Sequence, residues 1–301
     1  MSFSMQTYFR LLRIHHWIKN ILVFIPLFFS INFYDASSVK AALLGFISFS
    51  LLSSIVYILN DIWDIEKDRL HSSKRLRPLA SGEISVHHAI IVLVVLFASL
   101  IALLVILSIQ GDSLYNLKSV GFLLLYMLLN IAYSLGLKNV PIVDVIILTS
   151  GYVIRVLFGA IIIGVDISIW LYLVIIMGAF YIGFGKRRNE IRANETETRA
   201  VMKFYSHNFL DKNMYMCQTL CVVFYALWSI DSVTVERFHT SAFIYTIPLV
   251  LIIFLKYSLN IETEYDGDPT SVILGDKILL VLCMAYIIIC AFIVYLNRAA
   301  S

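Results

Sequence analysis

The chain has 301 residues, of which 60% are hydrophobic and 14% charged, with a formal net charge of +3. A soluble domain carries close to a quarter charged residues, so this composition excludes an ordinary soluble protein, and no nucleic-acid partner is expected. It describes a polytopic membrane protein whose apolar stretches, about 20 residues each, are helices rather than barrel strands.

In chain order, Met1 to Asn20 is basic and amphipathic, with Arg10, Arg13, His15, His16 and Lys19 among Phe9, Leu11, Leu12, Ile14 and Trp17. Residues 1–19 read as an interfacial helix that runs into the first span rather than as a cleavable leader. Nine spans are predicted near 20–34, 40–62, 86–109, 114–136, 141–163, 167–185, 213–231, 240–257 and 275–297, all in one integral-membrane domain covering 1–301. With nine spans, one side receives the N-terminus and the loops at 63–85, 137–140, 186–212 and 258–274. That side takes nearly all of the 23 lysines and arginines. Only Lys40, Lys118, Arg237 and Arg298 fall opposite, and Arg155 lies within a span. The bias places the N-terminus and every large polar loop in the cytoplasm. Cys217, Cys221, Cys283 and Cys290 all lie in apolar segments and read as packing residues.

The chemistry concentrates in Asn60 to Ser85, NDIWDIEKDRLHSSKRLRPLASGEIS, where the second span leaves the bilayer. Steps of three and four residues put Asn60, Asp61, Asp64 and Asp68 on one side of a helix that continues outward. Three carboxylates so placed repel one another and call for a cation between them. Hard oxygens with open positions suit Mg²⁺, which binds through a few carboxylates together with substrate phosphate oxygens. Lys74, Arg75 and Arg77 follow directly, spaced to meet an anion. The bland reading is a solvated juxtamembrane helix of mixed charge.

Other candidates carry two readings each. Lys138, with Tyr133 at the same membrane edge, is a phosphate ligand or an anchor to lipid headgroups. Lys186 and Arg187 are phosphate ligands or a positive-inside stop, and Glu190 is a substrate contact or the partner in a helix-surface ion pair. Asp144 and Arg155 are eleven residues apart, close to three turns, so they point the same way about 16 Å apart. Arg155 lies deep in a span, where an unpaired cation is costly. It pairs with a carboxylate elsewhere or holds a phosphate at the head of a lipid cavity. Asp144 joins a metal site or orients Lys138. The acidic 258–274 loop reads as mostly solvated.

The 60–85 stretch resembles the first aspartate-rich motif, NDxxDxxxD, of the UbiA superfamily of intramembrane prenyltransferases, and RPLASGEIS resembles its RPLPSGxIS. LRIHHWIKN is similar to the RPxQWxKN-type opening of the decaprenyl-phosphate phosphoribosyltransferase branch, with Trp17, Lys19 and Asn20 in matching places, His16 for the glutamine and Ile14 for the proline. YSLGLKNVPIVDV, GKRRNE and DPTSVILGDK resemble further elements of that branch, so the likeness covers nearly the whole chain. A second DxxxD motif is absent from 186–212, which departs from the aromatic prenyltransferases.

The resemblance implies an all-α bundle of nine transmembrane helices with a cytoplasm-facing active site on the loops at 63–85, 186–212 and 258–274. It implies an enzyme of a bacterial plasma membrane that moves 5-phosphoribosyl from 5-phosphoribosyl 1-diphosphate to a polyprenyl phosphate, releasing pyrophosphate, for cell-envelope arabinose precursors. Mg²⁺, for which Mn²⁺ can substitute, would be held by Asn60, Asp61, Asp64 and Asp68, the three aspartates being catalytic. Lys19, Asn20, Lys74, Arg77, Tyr133, Lys138, Asp144, Arg155, Lys186, Arg187 and Glu190 would line the substrates. The alternatives are a prenyltransferase with a prenyl diphosphate donor and an aromatic acceptor, and a non-enzymatic lipid or anion carrier. Oligomeric state is not legible.

Overall fold

The computed structural model describes residues 5–71, 74–109, 117–192, 200–263 and 268–299, and every regular element among them is helical. The α-helices are α1 (Met5–Leu12), α2 (Ile25–Phe29), α3 (Ala36–Trp63), α4 (Ile65–Leu70), α5 (Val86–Ile109), α6 (Leu117–Leu135), α7 (Val143–Ile162), α8 (Ile169–Arg192), α9 (His207–Ile230), α10 (Ser232–Phe238), α11 (Ile247–Thr263), α12 (Pro269–Gly275) and α13 (Lys277–Ala299).

Among the described residues, eight helical stretches are long and apolar enough to cross a bilayer, from Ala36–Trp63 to Lys277–Leu296. They stand where eight of the nine predicted spans were placed. The first predicted span, 20–34, is not one α-helix. A 3₁₀ segment covers Ile14–Phe24, α2 follows with Pro26 in its first turn, and Ile31 turns left-handed at φ 64°. Pro26 has no N–H to donate, which disfavours a continuous α-helix through this point. Nor does the N-terminal helix run smoothly into this segment. It stops at Leu12, Arg13 takes φ 50°, and Met5–Leu12 and Ile14–Phe29 are bent by 48°.

Helix starts follow side-chain chemistry that the span predictions did not use. Asp35 caps α3 by accepting the N–H of Ser37 (3.4 Å) and Ser38 (2.9 Å). The Ser37 and Ser38 hydroxyls and the Ser38 amide stabilise its anion and hold its carboxyl well below the usual range. Ser206 caps α9 through the Phe209 N–H (3.1 Å), so that helix begins at His207, ahead of the apolar residues.

The chain forms two compact units. One comprises Met1–Lys138 and Ile154–Val165, the other Asn139–Val153 and Asp166–Ser301, so α7 contributes to both. In the first, α3 is the packing centre, and its buried residues are mostly small: Ala41, Ala42, Gly45, Ser48, Ser50, Ser53 and Ser54. Small residues let helices approach closely where lipid provides no hydrophobic drive between them. A Cβ on Gly159 would lie 2.2 Å from the Val23 carbonyl oxygen, so α7 meets the backbone of the 14–24 segment there. Phe49 lies tilted against Tyr126 (4.8 Å) and Phe158 (5.6 Å). Ile90, Ile91, Val94, Val95 and Ile101 on α5 are exposed, as a lipid-facing side requires.

In the second unit α8 and α9 pack along their lengths, with Tyr181, Met214, Cys217, Tyr257, Ile261, Val272 and Leu279 in the core. Cys217, Cys221 and Cys290 are buried among apolar neighbours, as packing residues are.

Candidate active site

At 28 residues α3 is about 42 Å long, more than the roughly 30 Å of a bilayer's apolar core. Its last turn can therefore stand at headgroup level. The helix ends at Trp63 because Asp64 leaves helical geometry (φ −99°, ψ 11°), and α4 begins at Ile65. Hydrogen bonds from Asp64 N to Asn60 O (2.9 Å) and Asp68 N to Asp64 O (2.8 Å) carry the chain across this joint.

The joint splits the four residues expected as one ligand set. Asp61 and Asp68 converge: the Arg77 guanidinium nitrogen Nη1 donates to Asp61 Oδ1 at 3.1 Å and to Asp68 Oδ2 at 2.6 Å. Asp64 turns instead to Lys138, whose ammonium reaches both carboxylate oxygens at 3.0 and 2.8 Å. Asn60 accepts the Ser134 hydroxyl at 2.5 Å. The expected mutual repulsion is answered by the protein's own cations, and among the described residues no three His, Cys, Asp or Glu side chains gather as a ready metal cluster.

Arg77 is fixed by its own loop. Its carbonyl accepts the Ser81 N–H (2.9 Å), the Pro78 carbonyl accepts the Ile84 N–H (2.9 Å), and Gly82 supplies the positive φ of 78° that the turn needs. Leu79, Ala80 and Ile84 are buried beneath it. RPLASGEIS is thus a folded turn that carries the Arg77 guanidinium to Asp61 and Asp68.

Arg13 is the residue that sequence reasoning missed. It was read as one charge of an interfacial helix, yet its guanidinium donates to Asp61 and lies over the Tyr57 ring at 4.7 Å. The signal was present, because Arg13 stands at the arginine of the RPxQWxKN-like opening. Around it, Thr7 donates to Glu83, and Arg10 pairs with Glu83 (3.0 Å) and the Leu76 carbonyl, tying α1 to the 74–85 loop. Lys74 is half-buried in a 3₁₀ turn, and its N–H meets His71 Nδ1 at 3.4 Å. Tyr133 is half-buried near the end of α6, and Lys19 half-buried beside Asn20.

Asn20 and Arg155, both predicted substrate ligands, meet each other. Asn20 is fully buried. Its amide nitrogen donates to Ser50 (3.0 Å) and Ser53 (3.2 Å), and its oxygen accepts from Arg155 Nε at 2.8 Å. Arg155 also reaches the Tyr126 hydroxyl (3.2 Å) and lies against Phe49 (4.8 Å) and Tyr126 (5.0 Å). Amide, hydroxyl and aromatic faces thus support this intramembrane cation.

Asp144 does not share that network, although it sits on the same helix. In the second unit Arg187, 0% exposed, donates to Asp144 Oδ2 (2.7 Å) and Glu190 Oε2 (2.6 Å), and Tyr205 donates to Asp144 Oδ1. Burial and the bonded Asp144 push the Tyr205 phenol well above its ordinary range, so it stays protonated and remains a donor. Lys186 is half-buried on the preceding position. Asp268 caps α12 through the Thr270 N–H (2.9 Å). Asp276 pairs with Lys256 at 2.6 Å, which with the Leu279 amide pulls its carboxyl down to about 2.

The long apolar helices describe a multi-pass membrane protein, with arginine- and lysine-paired carboxylates on the turn after α3. The chain belongs to the UbiA prenyltransferase family, whose model matches residues 21–274. It is 31% identical to a decaprenyl-phosphate phosphoribosyltransferase from Corynebacterium glutamicum, over 95% of this chain and 86% of the relative. It is 29% identical to the enzyme of the same name from Mycolicibacterium smegmatis, over 91% and 88%. The fold is that of a UbiA homolog from Archaeoglobus fulgidus, solved bound to GPP and Mg²⁺, with a TM-score of 0.68 at 22% identity over 97% of this chain and 98% of that one.

Proposed function

We propose that this protein transfers 5-phosphoribosyl from 5-phosphoribosyl 1-diphosphate to a polyprenyl phosphate, releasing pyrophosphate, at the cytoplasmic face of a bacterial plasma membrane. The observation that carries the reading is the convergence of Asp61 and Asp68 on a single cationic nitrogen, with Arg13 also on Asp61 and Lys138 on the intervening Asp64. The names of the relatives from Corynebacterium glutamicum and Mycolicibacterium smegmatis supply the substrate pair.

The residues fit a divalent cation. Two buried carboxylates already aim at one positive point, and hard oxygens are the ligands Mg²⁺ takes. Asp61 and Asp68 would hold it, with Asp64 and Asn60 on the adjoining turn. When bound, Mg²⁺ neutralises charge on a departing diphosphate. Arg77, Lys74 and Lys138, on or beside the same turn, offer nitrogen donors to phosphate oxygens. The acceptor phosphate is anionic at neutral pH, so the reaction needs positioning more than a general base. Asn20 holds the Arg155 guanidinium in a fixed orientation, and Arg187 does the same for Asp144 and Glu190. We assign these pairs to positioning, with Lys19, Tyr133 and Lys186 left as candidate substrate contacts.

The test is direct. Purified protein in lipid nanodiscs, given labelled phosphoribosyl diphosphate, polyprenyl phosphate and Mg²⁺, should form a labelled lipid and pyrophosphate, and EDTA should stop it. Turnover of a prenyl diphosphate with an aromatic acceptor in place of this product would reverse the donor assignment. Binding without any turnover would make the protein a carrier.

A further inference from the structure

The site contains two arginines on one carboxylate, and they are held very differently. Arg77 spans Asp61 and Asp68 from a loop closed by its own hydrogen bonds. Among the described residues Arg13 has Asp61 as its one carboxylate partner; it projects from the break between α1 and the 14–24 segment and is 14% exposed. Its backbone is left-handed (φ 50°, ψ 47°), a conformation unfavourable for an L-residue that marks a joint rather than the interior of a helix. Asp61 itself is 3% exposed, so its charge must always have a counter-ion.

A divalent cation and Arg13 therefore compete for the same buried oxygens. The metal has the advantage: twice the charge, and an approach of roughly 2.1 Å against roughly 2.8 Å for a guanidinium nitrogen. We propose that Arg13 is an exchangeable counter-ion. It neutralises Asp61 until a divalent cation loads, then leaves the carboxylate and presents its guanidinium to the phosphates of the incoming donor. This deepens the reading above and rests on it, since that reading puts the metal at Asp61. The exchange keeps the buried carboxylate paired at every stage and delivers a phosphate-binding fork only when the metal is present. The break at Arg13 supplies the freedom, while Thr7 and Arg10 keep α1 tied to the 74–85 loop as the side chain moves.

The exchange predicts effects of opposite sign from one substitution. Mn²⁺ is titrated by electron paramagnetic resonance into nanodisc-embedded protein with no donor present. Removing the competitor in Arg13→Gln should tighten Mn²⁺ binding roughly ten-fold, by the logic that an adjacent opposite charge shifts a carboxylate's affinity by a unit or more. The same variant should raise KM for the donor. Tyr57→Leu, which removes the ring under the guanidinium, should tighten Mn²⁺ binding about three-fold. It also serves if Arg13→Gln does not fold. Arg10→Gln, which loses the pairing of α1 with Glu83 in the 74–85 loop, should leave Mn²⁺ affinity unchanged. Unchanged or weaker Mn²⁺ binding in either the Arg13 or the Tyr57 variant overturns the exchange, as does equal tightening in Arg10→Gln. If instead wild type binds no Mn²⁺, or Asp61→Asn binds it as well as wild type, the metal site itself is wrong and the proposed function falls with it.

Discussion

Asp61 and Asp144 are both buried aspartates held by arginine, yet the proposed chemistry asks different things of them. Asp61 lies at the end of a span with two guanidinium partners on one oxygen. Asp61→Asn keeps the shape and loses the charge, so turnover should fall by at least about 100-fold while the purified protein keeps its thermal midpoint within a few degrees. A midpoint collapse would recast Asp61 as structural. Asp144 and Arg187 are both 0% exposed and saturate each other, with Tyr205 and Glu190 completing the network. Breaking such a pair leaves an uncompensated buried charge, about 3–5 kcal/mol. Asp144→Leu or Arg187→Met should each lower the thermal midpoint steeply. The double variant should recover much of the loss, because no lone charge remains. A double variant as unstable as the sum of the singles would rule out this pairwise account.

At the scale of elements, close backbone approach decides which glycines matter. A Cβ at Gly159 meets the Val23 carbonyl oxygen, backbone that cannot rotate aside, whereas one at Gly121 meets nothing within 4 Å. Gly159→Ala should cost about 1–3 kcal/mol through overpacking. Gly121→Ala, in the lipid-facing helix α6, should be neutral or stabilising by up to about 1 kcal/mol. Thermal unfolding of both variants in detergent checks the order, and equal midpoints would remove the argument that α7 and the 14–24 segment touch through backbone. The eight long helices were legible because an apolar run of 20 residues has few other solutions in a bilayer. The break at Arg13 was not legible, because amphipathic periodicity registers a face and not a dihedral angle. Nor was the early start of α9 at His207, since polar residues capped by Ser206 carry no hydropathy signal.

For the whole molecule, the distribution of lysine and arginine predicts the orientation, with the proposed site expected on the side that holds nearly all of them. In a background with the four native cysteines replaced, a cysteine at Lys67 or Lys203 should react with an impermeant maleimide only after the inner face is exposed. One at Lys40 should react from outside. The reverse pattern would put the aspartates on the wrong side for a cytoplasmic sugar-phosphate donor. Sequence alone determined the membrane class and the family, and pointed to the stretch proposed as the site, because spans, charge bias and the NDxxDxxxD spacing are local properties of the chain. Only the tertiary structure decided which charges meet. Arg13 reaches Asp61 across 48 residues of chain, Lys138 reaches Asp64 across 74, and Asn20 holds Arg155 across 135. Electrostatic pairing depends on distance in space, and nothing in the spacing along the chain encodes that until the helices have packed.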